Sequence, residues 1–174
     1  MRIVLLAPLL LIGACAEREL STGAPLAGGR IATAALVDTT GRAVGRATAR
    51  EVAGGLRVTL DARGLPAGTH GAHLHTVGSC VAPDFSSAGP HWNPAGTKHG
   101  TMNPQGPHAG DLPNLVVGND GRGTLGVVLA GATLDGLLDA DGTAMVVHAA
   151  TDDLMTDPSG NSGGRIACGV MRSG

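Results

Sequence analysis

The alternation of apolar and polar residues after residue 30 predicts short β-strands separated by turns. In one segment, Leu56, Val58 and Leu60 alternate with polar residues, which is the period-two pattern of a strand with one buried face. Similar Ala-, Val- and Leu-rich segments cover residues 31–37, 43–51, 56–61, 69–75, 115–117, 124–129, 145–148 and 165–171. Turn sequences separate them. We expect residues 115–117 and 124–129 to form a hairpin around Asn119-Asp120-Gly121.

Two segments, residues 76–112 and 151–164, have no strand or helix pattern. A loop as long as the first is unusual inside a compact domain unless it has a function. About eight short strands, with no helical period among them, predict an all-β antiparallel sandwich or barrel with two long functional loops. The length of 174 residues suggests one such domain, which we place at residues 30–174.

The first residues predict export. Arg2 is followed by an apolar run that ends at Ala14, too short to cross a bilayer and typical of a signal peptide over residues 1–14. The residues Leu11-Ile12-Gly13-Ala14-Cys15 resemble a bacterial lipobox, which implies a lipidated Cys15 and a flexible tether over residues 15–29. The alternative is an ordinary cleaved signal in which Cys15 is incidental. On the first interpretation, the protein is periplasmic and meets a membrane only through its lipid.

Composition restricts the partners and the redox chemistry. The net charge is −2 and Lys98 is the only lysine, so no basic surface for nucleic acid is indicated. The chain has three cysteines. If Cys15 is lipidated or removed, Cys80 and Cys168 remain, and an oxidising compartment favours a bridge between them. Two free buried thiols are the alternative.

Six of the seven histidines lie between residues 70 and 108, and the seventh is His148. His73 and His75 are two apart in a predicted strand, so their imidazoles point to the same face. His91, His99 and His108 lie in Gly/Pro-rich sequence near Asp111, where a bound metal ion would order the loop. Three nitrogens and one oxygen suit Zn²⁺, and an all-imidazole site suits copper as well as zinc.

Six motifs follow one another along the chain. They are Gly68-Thr69-His70-Gly71-Ala72-His73-Leu74-His75, Ala88-Gly89-Pro90-His91-Trp92-Asn93-Pro94, Lys98-His99-Gly100, His108-Ala109-Gly110-Asp111-Leu112, Val146-Val147-His148 and Gly160-Asn161-Ser162-Gly163-Gly164-Arg165-Ile166-Ala167-Cys168-Gly169. In sequence and in order, over most of residues 30–171, these motifs resemble the copper–zinc superoxide dismutase family, which implies an eight-stranded Greek-key β-barrel or sandwich.

The resemblance implies a role for each matching residue. The copper ligands would be His73, His75, His91 and His148. The zinc ligands would be His91, His99, His108 and Asp111, so His91 would bridge both metals. Asp152 matches a carboxylate that hydrogen-bonds one copper and one zinc histidine, and Cys80 and Cys168 match the family disulfide. His70 matches a histidine that binds no metal.

The resemblance also implies the reaction. Copper alternating between Cu²⁺ and Cu⁺ would convert superoxide to O₂ and hydrogen peroxide and protect the cell envelope. His91 would exchange a proton, and Arg165 would attract the anion. Only Lys98 and Arg165 are obvious cations near the site, so we expect weak long-range steering. The alternative function is a non-catalytic copper- and zinc-binding lipoprotein on the same fold. The sequence leaves open a monomer or a homodimer.

Overall fold

The computed structural model describes residues 23–26 and 28–174. Predictions for the signal peptide, for Cys15 and for most of the tether fall outside these residues and stay predictions. The strands are β1 (Ile31–Asp38), β2 (Ala43–Val52), β3 (Gly55–Arg63), β4 (Gly68–His70), β5 (Ala72–His75), β6 (Leu115–Val117), β7 (Arg122–Ala130), β8 (Ala144–His148), β9 (Arg165–Val170) and β10 (Arg172–Ser173). A short helix α1 (Leu134–Leu137) and a 3₁₀ turn (Ser86–Ala88) complete the list.

The strands form one curled antiparallel sheet in the order β5-β8-β9-β1-β2-β3-β7, with β10 beside β1 and a small β4–β6 pair apart from it. Neighbours such as β3 and β7, or β5 and β8, are distant in sequence, as in Greek-key connections. The predicted all-β antiparallel barrel is therefore confirmed. No helix in the described part of the chain is long and apolar enough to cross a membrane.

The predicted hairpin between β6 and β7 is wrong. The turn between them forms, since the Gly118 N–H donates to the Arg122 carbonyl at 2.8 Å. However, β6 pairs with β4, and β7 pairs with β3 along the whole register from Gly55↔Ala130 to Arg63↔Arg122. The two strands therefore belong to different sheets, with β6 in the small pair with β4 and β7 at the edge of the main sheet.

Two further strand predictions differ in detail. The predicted strand 69–75 breaks at Gly71 into β4 and β5, whereas the predicted strand 165–171 ends one residue earlier as β9, and β10 was not predicted. A Cβ on Gly71 would come within 2.8 Å of the Ser162 side chain, so the chain passes close to the second loop at this break. The break directs β5 into the main sheet while β4 pairs with β6.

Small aliphatic side chains fill the barrel. In β3 the buried positions are Leu56, Val58, Leu60 and Ala62, the alternate residues, and β2 contributes Ala47 and Ala49 from the facing register. A second, smaller cluster contains Phe85, Ala88, Ala144, Val146 and Cys168. The only tryptophan, Trp92, packs against the main cluster. With so few aromatic residues, the barrel depends on closely fitting Ala, Val and Leu side chains.

The first long loop lies along the edge of β5. The Trp92 N–H donates to the Leu74 carbonyl at 2.8 Å, and the Leu74 N–H donates to the Gly110 carbonyl at 2.9 Å. A Cβ on Gly110 would overlap the Leu74 carbonyl oxygen, so only glycine permits this approach. The loop therefore protects an edge strand and brings its own residues beside His73 and His75.

Residues before β1 also contact the barrel. Pro25 forms an isolated bridge with Val52, and the Ala53 N–H donates to the Ala24 carbonyl at 3.3 Å. The predicted domain boundary at residue 30 stays a prediction, although barrel contacts begin before it.

Candidate metal centre

Three histidines of the site come from paired strands. His73 and His75 lie in β5, every residue of which is buried, and His148 ends the neighbouring strand β8. The Nε2 atoms of His75 and His148 lie 3.4 Å apart. Alternation along β5 gives His73 and His75 the same side of the sheet, as predicted. The pairing of β5 with β8 therefore brings three imidazoles together.

His91 adds a fourth imidazole from the first loop. An isolated bridge pairs it with His75, and its ring centroid lies 4.0 Å from that of His73. One ligand atom each from His73, His75, His91 and His148 falls within 4.8 Å of the others. The structure therefore brings together all four residues predicted to hold copper.

The second group is organised around one carboxylate oxygen, Asp111 Oδ1. The Nδ1 atoms of His91, His99 and His108 lie 2.9, 3.0 and 3.2 Å from it. The other oxygen, Oδ2, accepts the backbone N–H groups of Gly100 at 2.8 Å and His108 at 3.0 Å. Those two hydrogen bonds leave Oδ1 facing the imidazoles, so the residues predicted to hold zinc also converge.

A second combination of four residues is equally compact. His73, His91, His99 and Asp111 have ligand atoms within 4.8 Å of one another. The Nε2 of His73 is nevertheless engaged with Asp152 at 2.7 Å. His108 directs Nδ1 at Asp111 and lies 3.4 Å from His91 Nδ1, so we regard His108 as the fourth member of this group.

In most of these rings, the nitrogen that points away from the group, here called the outward nitrogen, faces a hydrogen-bond acceptor of the protein. Asp152 is buried and receives His73 Nε2 at 2.7 Å on one oxygen and His99 Nε2 at 3.0 Å on the other. His75 Nδ1 faces the Gly89 carbonyl at 2.8 Å, and His148 Nδ1 faces the Gly163 carbonyl at 3.1 Å. Such partners fix the tautomer and the orientation of metal-binding histidines.

Asp152 is itself held by residues that the sequence did not indicate. Asn114 clamps its backbone from both sides, accepting the Asp152 N–H and donating to the Asp152 carbonyl, each at 2.9 Å. Gly160 approaches so closely that a Cβ would overlap Asp152 Oδ1. The carboxylate thus has one position available to it.

Burial favours the neutral form of two site imidazoles. It lowers the pKa of His91 to about 4 and that of His148 to about 3, and neighbouring imidazoles add to the effect. Burial would raise the pKa of Asp111, but hydrogen bonds from His91 and Gly100 outweigh it and hold that pKa below its ordinary value. Neutral imidazoles and an ionised carboxylate are the forms that bind metal ions.

Arg165 lies beside the all-imidazole group formed by His73, His75, His91 and His148. Its guanidinium donates to the Phe85 carbonyl and the Gly89 carbonyl, both at 2.6 Å. Gly89 therefore serves both Arg165 and His75. Burial lowers the pKa of Arg165, and Asp84 opposes that shift, but a guanidinium stays charged at any physiological pH. Two carbonyls use two of its five N–H donors and leave others for an anion.

The remaining candidate residues have structural surroundings. Cys80 and Cys168 form a disulfide with Cα atoms 5.7 Å apart, which ties the first loop to β9. Both ring nitrogens of His70 face backbone carbonyls, those of His148 at 2.8 Å and Pro66 at 3.0 Å. His70 thus lies outside both groups. Lys98 pairs with Asp157 at 3.0 Å, so its charge is largely neutralised.

The two groups fit metal ions. Within the described residues, only two buried side-chain polar atoms have no hydrogen-bond partner, and they are His73 Nδ1 and His91 Nε2, both facing the all-imidazole group. Unpaired buried polar atoms are costly, and a coordinated cation would satisfy them. Four imidazoles suit copper, and three imidazoles with a carboxylate suit zinc.

For four residues of the site, no role was predicted from the sequence. Asn114 and Asp157 act through loop contacts, and Phe85 and Gly89 act through backbone carbonyls. Loops without periodicity do not reveal which side chains meet. Phe85 alone carries a hint, because it is the only phenylalanine and lies in a Gly/Pro-rich segment that otherwise has few apolar anchors.

Comparisons with known proteins agree with this geometry. The family model for copper/zinc superoxide dismutase matches residues 43–171. Copper–zinc superoxide dismutase 2 of Aquifex aeolicus is 41% identical over 175 residues, covering 97% of this chain and 96% of that protein.

Two solved structures are similar over nearly their whole length. A double mutant of a superoxide dismutase-like protein from Bacillus subtilis has a TM-score of 0.76 at 45% identity, covering 79% of this chain and 95% of that one. Cu/Zn superoxide dismutase from Brucella abortus has a TM-score of 0.67 at 30% identity, covering 82% of this chain and 99% of that one.

Proposed function

The chain belongs to the copper/zinc superoxide dismutase family, and from this premise we propose which residues hold each metal and where the enzyme works. As a member it is an oxidoreductase that uses copper and zinc to convert superoxide to O₂ and hydrogen peroxide. We assign copper to His73, His75, His91 and His148. We assign zinc to His91, His99, His108 and Asp111.

The observation that carries this assignment is the direction of the ring nitrogens. His73 Nδ1 and His91 Nε2 are buried without partners on one side of His91, and Asp111 Oδ1 gathers three Nδ1 atoms on its other side. When bound, copper supplies a one-electron Cu²⁺/Cu⁺ couple, and zinc supplies a fixed positive charge without redox chemistry.

Arg165 orients the substrate in this proposal. Superoxide is a small anion, and a guanidinium pre-positioned by two carbonyls attracts it at little entropic cost. Because Gly89 also holds His75, the cation and a copper ligand share one fixed point. Arg165 therefore brings superoxide next to the all-imidazole group.

His91 is the residue to which we assign proton transfer. Its Nδ1 faces Asp111, while Nε2 is buried among the other imidazoles. A proton held at Nε2 would lie close to an anion bound by Arg165. Hydrogen peroxide needs two protons, and a positioned imidazole is a common donor.

We further propose that the enzyme is exported and protects the cell envelope. The apolar run before Cys15 supports export, and the Cys80–Cys168 disulfide suits an oxidising compartment. Lipidation of Cys15 would then anchor the barrel to a bacterial membrane.

The activity assignment is tested with copper- and zinc-loaded protein. We expect His148→Ala to abolish superoxide removal. We expect Arg165→Ala to lower it roughly tenfold or more, while that variant keeps both metals bound. Arg50→Ala, at an exposed arginine on β2, is the matched control and should retain wild-type activity. A fully copper-loaded wild type without activity would instead favour the metal-binding lipoprotein.

The anchor is tested by mass spectrometry of the mature protein from membranes. We expect a chain that begins at Cys15 and carries the added mass of a lipid. An unmodified N-terminus, or one at another residue, would exclude lipidation and leave ordinary export.

A further inference from the structure

One carboxylate outside the two ligand groups contacts the first loop at several points. Asp157, in the second loop, accepts the His99 N–H at 2.9 Å on Oδ1 and pairs with Lys98 Nζ at 3.0 Å on Oδ2. The same Oδ1 lies 3.8 Å from His108 Nε2. Asp157 therefore faces two of the proposed zinc ligands at once, one through its backbone and one through its ring.

His108 stands apart from the other ligand histidines in its outward nitrogen. His73, His75, His99 and His148 each present that nitrogen to an acceptor within 3.1 Å. Among the described residues, no such acceptor lies that close to His108 Nε2, and Asp157 provides the one carboxylate paired with it. Metal-binding histidines almost always donate this N–H to a carboxylate, a carbonyl or water.

We propose that Asp157 is a positioning residue for zinc, which holds His99 by accepting its main-chain N–H and faces His108 Nε2 at 3.8 Å, where its charge acts on the ring without a direct hydrogen bond. The proposal rests on the assignment of His99 and His108 to zinc. It goes beyond that assignment because Asp157 is a proposed ligand of neither metal. It acts only through the two histidines.

The surroundings of Asp157 support a fixed orientation. Its side chain is about one-third exposed, at 35%, but each oxygen has a defined partner. Lys98 on Oδ2 leaves Oδ1 to the two histidines. Asp152, five residues earlier, holds His99 Nε2 by its own Oδ1. The second loop thus reaches the zinc group through two carboxylates, one on each side of His99.

The consequence is that zinc retention depends on the second loop. The ligands themselves all lie between residues 91 and 111, yet two of their contacts come from residues 152 and 157. Loss of Asp157 should therefore loosen zinc while the barrel and the copper group remain.

The experiment measures zinc release from the fully loaded protein into excess chelator. We expect Asp157→Ala to release zinc about 10-fold faster than the wild type, at the lower end of the roughly 10- to 100-fold loss of affinity that follows when such outer partners are removed. Asp157→Asn should be intermediate, because its amide oxygen can still accept the His99 N–H while the charge is lost. The ring N–H resonance of His108 in the zinc-loaded protein should move in both variants.

Two variants separate this role from general loop disturbance. Asp153→Asn changes a carboxylate in the same loop that binds only Met155, Thr156 and Asn161, and should leave zinc release within about twofold of the wild type. Lys98→Met removes the ion pair but keeps both histidine contacts, and should have a smaller effect than Asp157→Ala.

Two results would overturn the proposal in different ways. If His108→Ala loses zinc rapidly while Asp157→Ala and Asp157→Asn release zinc like the wild type with an unchanged His108 resonance, the role of Asp157 is wrong and the ligand assignment stands. If His108→Ala retains zinc as well as the wild type, the ligand assignment fails and this proposal fails with it.

Discussion

Asp152 joins two imidazoles that are far apart in the sequence. Its two oxygens receive His73 from β5 and His99 from the first loop, and Asn114 and Gly160 leave it no freedom to turn away. The carboxylate therefore connects the all-imidazole group with the group around Asp111, to which we assign copper and zinc, without belonging to either.

Replacement of Asp152 should loosen both metals. In Asp152→Ala, the Nε2 atoms of His73 and His99 lose their acceptor, and we expect metal affinity about 10- to 100-fold weaker, measured by chelator competition. Asp153→Ala, at an exposed neighbour, is the control. Wild-type affinity for both metals in Asp152→Ala would show that the strands and loop position the rings without it.

At the residue scale, strand periodicity made some directions predictable. His73 and His75 share a face because they are two apart in a strand, and the structure has them so. Asn114 and Asp157 could not be found in this way, since their contacts cross between two aperiodic loops. Which outward nitrogen meets which acceptor depends on three-dimensional packing.

Among the elements, the second loop turns at Gly160 directly over Asp152. Gly160 has a φ of +62°, in the left-handed region that favours glycine, and a Cβ there would overlap the carboxylate. The path of the loop and the position of Asp152 are therefore inseparable.

Gly160→Ala should destabilise this loop. We expect a loss of about 1–3 kcal/mol in the free energy of unfolding from backbone strain, with further displacement of Asp152. Urea denaturation and zinc release would measure the two effects. Gly164→Ala is the matched control, because a Cβ there meets nothing within 4 Å. Equal stability of the two variants would contradict the close approach.

The elements themselves were predicted better than their partners. Alternation located nearly every strand, but β6 and β7 were expected to pair because only a short turn separates them. In the structure each finds a partner distant in sequence. Local pattern defines a strand, whereas its neighbour depends on how the chain packs in three dimensions.

For the whole molecule, the buried imidazoles predict acid sensitivity without metals. The pKa values of His91 and His148 are about 4 and about 3, against an ordinary value of 6.5. Between those values, the unfolded chain binds more protons than the folded one, so acid favours unfolding.

We expect the free energy of unfolding of the metal-free protein to fall steadily as the pH drops from about 6.5 to about 4. The held-down pKa of Asp111 adds a loss only below its ordinary value of 3.8. Urea titrations at several pH values would measure this. Metal-free His148→Ala should have a shallower dependence, and stability that rises towards acid would refute the argument.

Ionic strength should affect the reaction weakly. Lys98 is paired with Asp157, which leaves Arg165 as the cation at the site, and its effect acts at short range. We expect kcat/KM to change less than about threefold between ~0.01 M and ~0.15 M salt. Thr156→Lys, which adds an exposed cation to the second loop, should steepen the dependence. A steep dependence in the wild type would reveal steering charges elsewhere.

At the largest scale, the family and its fold followed from the order of the histidine motifs. The disulfide followed from cysteine arithmetic and the same resemblance, and the structure has it between Cys80 and Cys168. The pairing of Lys98 with Asp157 could not be inferred, because the two residues lie 59 positions apart in different loops. From the sequence alone, Lys98 therefore counted as a free cation near the site, whereas the structure pairs it with Asp157.

Trp92 gives the protein an optical property that follows from its position. The chain has one Trp and no Tyr, so nearly all its ultraviolet fluorescence comes from this side chain. Trp92 directly follows His91, bonds through its backbone to Leu74 between His73 and His75, and is only 6% exposed. Cu²⁺ quenches nearby indoles, whereas Zn²⁺ does not. With copper assigned to the all-imidazole group, we expect the emission of the intact enzyme to fall as copper is loaded, without any added dye.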